Sequence, residues 1–288
     1  MPASWNRNRL TAKLGIDYPI IQGLSSERLT AAVSNFGGLG SFGAHGLAPK
    51  AIKEVIAGIR SLTSKPFAMN LWVSMEDEGA RTSDESAFHR SLAPLAIHLA
   101  ALRAPRPAYK PYSPTRFEDQ ARVLLDAKVP VFSFIYGIPP REILAECRAK
   151  SIVAIGTATT PDEAAALQEV GVDAIATSGF EAGGHRGSFL RAAEDSLTGT
   201  LSLVPQIVDI VDVPVIAAGG IGDARGVIAA LALGGEAVQM GTVFLASEES
   251  GATPLHREAL LGKGCETHVV DKGLHGKTGT RNTQSFDG

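Results

Sequence analysis

The stretch Asp173-Ala174-Ile175-Ala176-Thr177, followed by Ser178-Gly179-Phe180-Glu181-Ala182-Gly183-Gly184-His185-Arg186-Gly187, decides how the chain is read. The first part is a short apolar run of the kind that forms a buried strand. The second is a loop with four glycines around one imidazole. Glycine adopts positive φ and lets the main chain approach a ligand closely, so this loop suits a flat or phosphorylated ligand packed against backbone. A tight turn carrying a solvated histidine is the plain alternative, and the rest of the chain has to decide.

Working outward, seven more such runs alternate with Ala-rich or amphipathic segments. They are Pro19 to Gln22, Gly38 to Phe42, Phe67 to Leu71, Val129 to Phe134, Ile152 to Gly156, Pro214 to Ala218 and Ala237 to Met240. The alternation calls for a parallel sheet with helical crossovers. Eight units in 288 residues predict an α/β fold, a single (β/α)8 TIM barrel. Helix signals agree with this: Ser25 or Ser26 caps a run through Ser34, Thr160-Pro161-Asp162-Glu163 opens a helix that stops at Gly171, and Asp223 caps an Ala-rich run ending at Gly234-Gly235. One connection is too long for one helix. Residues 73–128, after the third strand, include Ala104-Pro105-Arg106-Pro107 and Lys110-Pro111-Tyr112-Ser113-Pro114, and are expected to form an excursion flanking the site.

The composition is globular, 44% hydrophobic and 20% charged, with a formal net charge of -3. With no basic cluster the chain lacks the electrostatic footprint of a nucleic-acid binder. Cys147 and Cys265 have neither metal nor redox spacing and read as two reduced thiols of a cytoplasmic protein. The N-terminus has no apolar signal region, and no apolar run approaches bilayer length, so a soluble protein is expected. His89, His98, His256, His268 and His275 show no ligand spacing, and no metal is expected.

In such a barrel the chemistry sits just after the strands. The residues there are Gln22-Gly23, Gly43-Ala44, Asn70, the loop with His185, Gly219-Gly220 and Gln239-Met240-Gly241-Thr242. Glycine loops leading into helices after the seventh and eighth strands offer N–H donors to a phosphate. No Gly-x-x-x-x-Gly-Lys-Ser/Thr pattern is present to support ATP or GTP. Glu181 is expected to anchor its loop, Arg186 to be exposed beside the glycine turn, and His45 to be a solvated loop histidine or to line the pocket. Trp72, Phe42 and Phe180 are expected in the core, with an apolar wall against a ligand as the alternative.

These residues resemble the nitronate monooxygenase family, formerly 2-nitropropane dioxygenases. The carriers are Ala31-Ala32-Val33-Ser34-Asn35-Phe36-Gly37-Gly38-Leu39-Gly40, Pro66-Phe67-Ala68-Met69-Asn70-Leu71, Glu181-Ala182-Gly183-Gly184-His185, Pro214-Val215-Ile216-Ala217-Ala218-Gly219-Gly220-Ile221 and Gln239-Met240-Gly241-Thr242. The Glu-Ala-Gly-Gly-His run is the most specific; the others are shared in part with flavin enoyl reductases and the inosine monophosphate dehydrogenase group. The resemblance implies FMN as cofactor, held by residues among Gln22, Gly23, Asn70, Ser178, Gly183, Gly219, Gly220, Gln239, Met240, Gly241 and Thr242, with His185 catalytic. It implies oxidation of alkyl nitronates by molecular oxygen to carbonyl compounds and nitrite, a detoxification of nitroalkanes. A homodimer is compatible with it. Two departures stand out. Many members carry Gln where this chain has Ser178, and the run Gly276-Lys277-Thr278-Gly279-Thr280-Arg281-Asn282 echoes a family segment that is normally followed by more helix, so residues 262–288 read as the remnant of a C-terminal lobe. Three alternatives remain: an FMN-dependent NAD(P)H reductase of a quinone or enoyl thioester, a non-flavin barrel enzyme that binds a substrate phosphate, and a catalytically inert relative.

Overall fold

The computed structural model describes residues 5–23, 25–73, 84–110, 115–262, 268–271 and 279–282. Its centre is an eight-stranded parallel sheet: β1 (Ile20–Gln22), β2 (Gly40–Gly43), β3 (Phe67–Trp72), β4 (Val131–Ile135), β5 (Val153–Ala158), β6 (Ala174–Ser178), β7 (Val215–Ala218) and β8 (Ala237–Met240). Consecutive strands from β2 to β8 pair with one another, and β8 pairs with β1 in the register Ile20 to Val238. A parallel bridge between Ile21 and Leu39 joins β1 to the segment leading into β2, which makes the sheet a barrel. The sequence located all eight strands; the observed ends differ by up to two residues, as β5 shows by running to Ala158 rather than Gly156.

Alternation along the strands divides the side chains into two layers. Ile21, Ala68, Val131, Ile155, Ala174, Ala176, Ile216 and Ala237 fill the barrel, while Phe67, Met69, Leu71, Phe132, Phe134 and Ile175 pack against the helices outside. The bottom is closed by the helix Arg9–Leu14, whose Leu10 and Leu14 join the inner cluster. Sequence reading did not find this helix, although Asn8 and Thr11 form a capping box at its start. Among the described residues, this helix closes one end of the barrel and the carboxyl ends of the strands form the mouth.

The predicted caps are present. The Ser26 side chain accepts from Leu29 N, Thr160 from Glu163 N, and Asp223 from Arg225 N and Gly226 N. In the long connection after β3, the described residues form the helices Glu85–Ser91, Ala96–Ala101 and Phe117–Ala127. The last of these is the barrel's own crossover helix, with Phe117, Leu124 and Leu125 in the outer core, so it is not part of any excursion. Part of the Pro-rich run Lys110 to Pro114 lies outside the described residues.

Candidate functional site

Three glycine-bearing loops meet at the mouth on the β6 to β8 side. The loop after β6 turns back at once, with Gly179 N donating to Ala218 O on β7. Its Glu181 carboxylate accepts from Thr200 N at 2.9 Å and Thr200 Oγ1 at 2.9 Å, at the start of the helix Thr200–Val208. Glu181 therefore anchors the loop, as expected. Gly219 has φ of 117°, and a Cβ there would stand 2.8 Å from Thr200 Oγ1 and 2.9 Å from Ala182 N. Only glycine fits where the β6 and β7 loops touch.

Arg186 corrects the sequence reading. It is buried, because the carbonyls left by the irregular loop need donors and the guanidinium supplies them. Its Nη1 donates to Ser178 O at 2.6 Å and Gly179 O at 2.8 Å, and its Nη2 to Thr159 O at 3.3 Å and to Ser196 O. Burial lowers its pKa to about 10, against the raising influence of Glu163 and Glu181. Glu163, read in sequence only as a first-turn acid, is fully buried. It accepts from Thr159 N and Oγ1, both at 2.7 Å, and from Phe189 N and Leu190 N at 2.6 and 3.1 Å. These two residues lock the far side of the histidine loop onto the end of β5.

Between its anchors the loop crosses the mouth. A Cβ on Gly183 would lie 3.6 Å from Thr242 Oγ1, beyond β8, whereas two residues later the His185 ring meets the Trp72 indole on β3 edge to face, with centroids 5.2 Å apart. Gly184–His185 is a short strand paired antiparallel with Gly279–Asn282, which in turn pairs with His268–Asp271. His185 is itself exposed. The segment from Gly279 to Asn282 thus borders the histidine by main-chain pairing.

On the β2 to β4 side the aromatic neighbours extend further. The His45 ring stacks on Trp72 at 4.0 Å with 6° between planes, and Tyr136 meets Trp72 edge on at 5.0 Å. Tyr136 has φ of 67°, an unusual conformation for a bulky side chain and one that recurs at functional sites. Burial, and then His185, hold the His45 pKa below its ordinary value. Below Trp72 on the same inward face, Asn70 Nδ2 donates to Ser133 Oγ at 3.0 Å, while its buried Oδ1 has no hydrogen-bond partner among the described residues. Sequence reading named Asn70, and weighed Trp72 and His45 as pocket residues. It missed Tyr136 and Ser133, whose only signals were a Tyr136-Gly137 pair and a polar residue inside an apolar strand, and it read Glu163 only as a first-turn acid.

The remaining candidates divide by strand register. Alternation turns Asn70, Ser178 and Gln239 toward the barrel interior and Gln22 and Met240 away from it. Gln22 is fully buried and its Oε1 accepts from Ser41 N at 3.0 Å, which ties β1 to β2; Met240 packs in the outer core. Gly23 closes tightly on the last loop, since a Cβ there would stand 2.9 Å from Gly241 Cα. At Gly241 and Gly222, in contrast, a Cβ would meet nothing within 4 Å. Phe42 packs in the outer layer and Phe180 is 38% exposed, so of the three aromatics only Trp72 stands at the mouth.

Both glycine loops lie at the rim, but the helix after β7 does not offer its N-terminus to an anion. Asp223 occupies the N–H groups of Arg225 and Gly226, and its own carboxylate is held below the ordinary range by Arg225. An anion is left with the main chain around Gly219, Gly220, Gly241 and Thr242. That cradle, the unpaired Asn70 amide oxygen and the aromatic wall together suit a planar, polar, phosphorylated ring system. Among the described residues no cluster of His, Cys, Asp and Glu could hold a metal, and no helix is long and apolar enough to cross a membrane.

Similarity to known proteins identifies the family. The family model described as nitronate monooxygenase matches residues 7–283. A probable nitronate monooxygenase of Staphylococcus aureus strain Newman is 42% identical over 278 residues, covering 95% of this chain and 77% of the relative. Among solved structures, nitroalkane oxidase from Streptomyces ansochromogenes superposes with a TM-score of 0.84 at 33% identity, over 96% of this chain and 79% of that one. FabK from Thermotoga maritima follows at 0.73 and 31%, over 95% and 74%. With a family match over nearly its whole length and relatives that share its barrel, the chain belongs to the nitronate monooxygenase family of flavin-type oxidoreductases.

Proposed function

We propose that this protein is an FMN-dependent enzyme that oxidises alkyl nitronates with molecular oxygen to carbonyl compounds and nitrite. The observation that carries the reading is the crossing loop, which sets Gly183 opposite Thr242 and His185 against Trp72, so that one imidazole stands at the mouth. The family membership and the nitroalkane oxidase likeness support the same reaction. FMN, when bound, supplies one-electron exchange with nitronate and oxygen. Asn70, Ser178 and Gln239 would meet its polar edge, and the main chain at Gly183, Gly219, Gly220, Gly241 and Thr242 its phosphate. Gln22, Gly23 and Met240 support that cradle by packing.

His185 acts on the substrate. As a neutral base a ring nitrogen takes the α-carbon proton of a nitroalkane; as an imidazolium it holds the nitronate anion, and an ordinary histidine reaches both states near neutral pH. Trp72 forms an apolar wall for the alkyl chain. The test is the anaerobic visible spectrum of the purified protein before and after addition of ethyl nitronate. Flavin bands that bleach with nitronate, and stay unchanged with NADPH alone, are expected. Bleaching by NADPH alone would favour the reductase instead, and a colourless protein with no extractable flavin would overturn the cofactor. In the His185→Asn variant, turnover of nitroethane, which must first lose its α-carbon proton, should fall about 10²- to 10⁴-fold while flavin content is kept.

A further inference from the structure

His45 occupies a rigid place beside the site. Its turn is tied to β3 by Ala44 N, which donates to Asn70 O at 2.9 Å. From the crossover helix, fully buried Gln120 donates Nε2 to Leu47 O at 2.9 Å. On this clamped turn the imidazole lies flat on the Trp72 indole at 4.0 Å, and its buried Nδ1 has no hydrogen-bond partner among the described residues. The same indole contacts Tyr136 and His185 in edge-on geometry. A ring stacked face to face with a partnerless nitrogen is arranged for packing rather than for proton transfer.

We propose that His45 is a positioning residue for His185: by stacking on Trp72 it fixes the indole against which the His185 ring rests, and so holds that ring over the site. Burial favours the uncharged form of His45. The proposal takes its substrate from the function proposed above, but its structural consequence can be read without turnover.

The experiment compares wild type, His45→Phe and His45→Ala as flavin-loaded full-length proteins. Phe keeps a flat ring on the indole and removes the nitrogens, whereas Ala removes the ring. Turnover of ethyl nitronate is measured together with the ring-proton resonances of His185 in protein labelled at histidine, assigned by their loss in His185→Asn. The Trp72 ring current displaces those resonances for as long as the two rings stay together.

In His45→Ala, kcat should drop about 10-fold with KM changed less than about twofold, since a small misplacement costs rate more than binding. The His185 resonances should move toward unperturbed positions. In His45→Phe both the resonances and kcat should return to near wild type. His45→Leu repeats the ring-loss test with more of the volume kept, should His45→Ala fail to fold. Unmoved His185 resonances in the ring-loss variants would overturn the proposal, as would a His45→Phe variant as impaired as His45→Ala, which would assign the role to a nitrogen. If wild type does not turn over ethyl nitronate, the proposed function fails while the resonances still decide the role of His45.

Discussion

At the scale of single residues, the site depends on buried charges held by backbone. Glu163 collects four donors from Thr159, Phe189 and Leu190, and each depends on a carboxylate with two acceptor oxygens. Glu163→Gln turns an NH₂ toward one pair of donors, and should lower stability by about 1–3 kcal/mol, measured by urea unfolding. His45 adds a pH dependence. Its folded-state pKa is depressed by burial and by His185, so the unfolded chain takes up a proton that the folded one resists. Stability contributed in this way is present above the unfolded value, about 6.5, and falls as pH drops below it. Urea midpoints at pH 7.5 and 5.5 should therefore differ less in His45→Phe than in wild type. Glu163 and Arg186 did not disclose their roles in sequence: Glu163 reads as an ordinary first-turn acid and Arg186 as an exposed residue beside a turn, because the carbonyls that Arg186 satisfies lie in three separated stretches, at Thr159, Ser178-Gly179 and Ser196.

At the scale of elements, the two glycine loops separate packing from binding. Gly219 combines positive φ with contacts to Thr200 and Ala182, so Gly219→Ala should destabilise the fold itself. Gly241 has φ of -107° and open space where a Cβ would point, so Gly241→Ala should fold with a melting temperature within a few degrees of wild type. If the cradle holds the phosphate, that variant should nonetheless weaken flavin binding about 10-fold or more, by intruding on a close backbone approach. Flavin fluorescence titration of the stripped proteins measures it, and unchanged affinity in Gly241→Ala would remove this loop from the cofactor site. The Asp223 cap carries a related lesson. Its sequence identity as a cap was correct, and the same carboxylate excludes an anion from that helix start.

At the scale of the whole molecule, the described helices pack closely against the outside of the barrel. Cys147 shows how closely: on the helix Arg141–Ala149 it is fully buried in that outer layer, and burial raises its thiol pKa to about 11. Iodoacetamide at pH 8 should leave Cys147 unmodified in native protein and alkylate it only after unfolding, as read by peptide mass spectrometry. The sequence by itself determined the barrel, its eight strands and most of its caps, because these are written in local periodicity and in Gly, Pro and Asp at fixed offsets. It also named His185, Asn70 and the glycine loops, since residues at and just after the strand ends of such a barrel lie near its mouth. Only the tertiary structure decided which side chains turn inward, which paired Trp72 with His45, Tyr136 and His185, buried Arg186, and turned Gln22 and Met240 away. Those outcomes depend on sheet register and on loops from distant segments meeting, and such long-range contacts leave no mark on the local pattern of the chain.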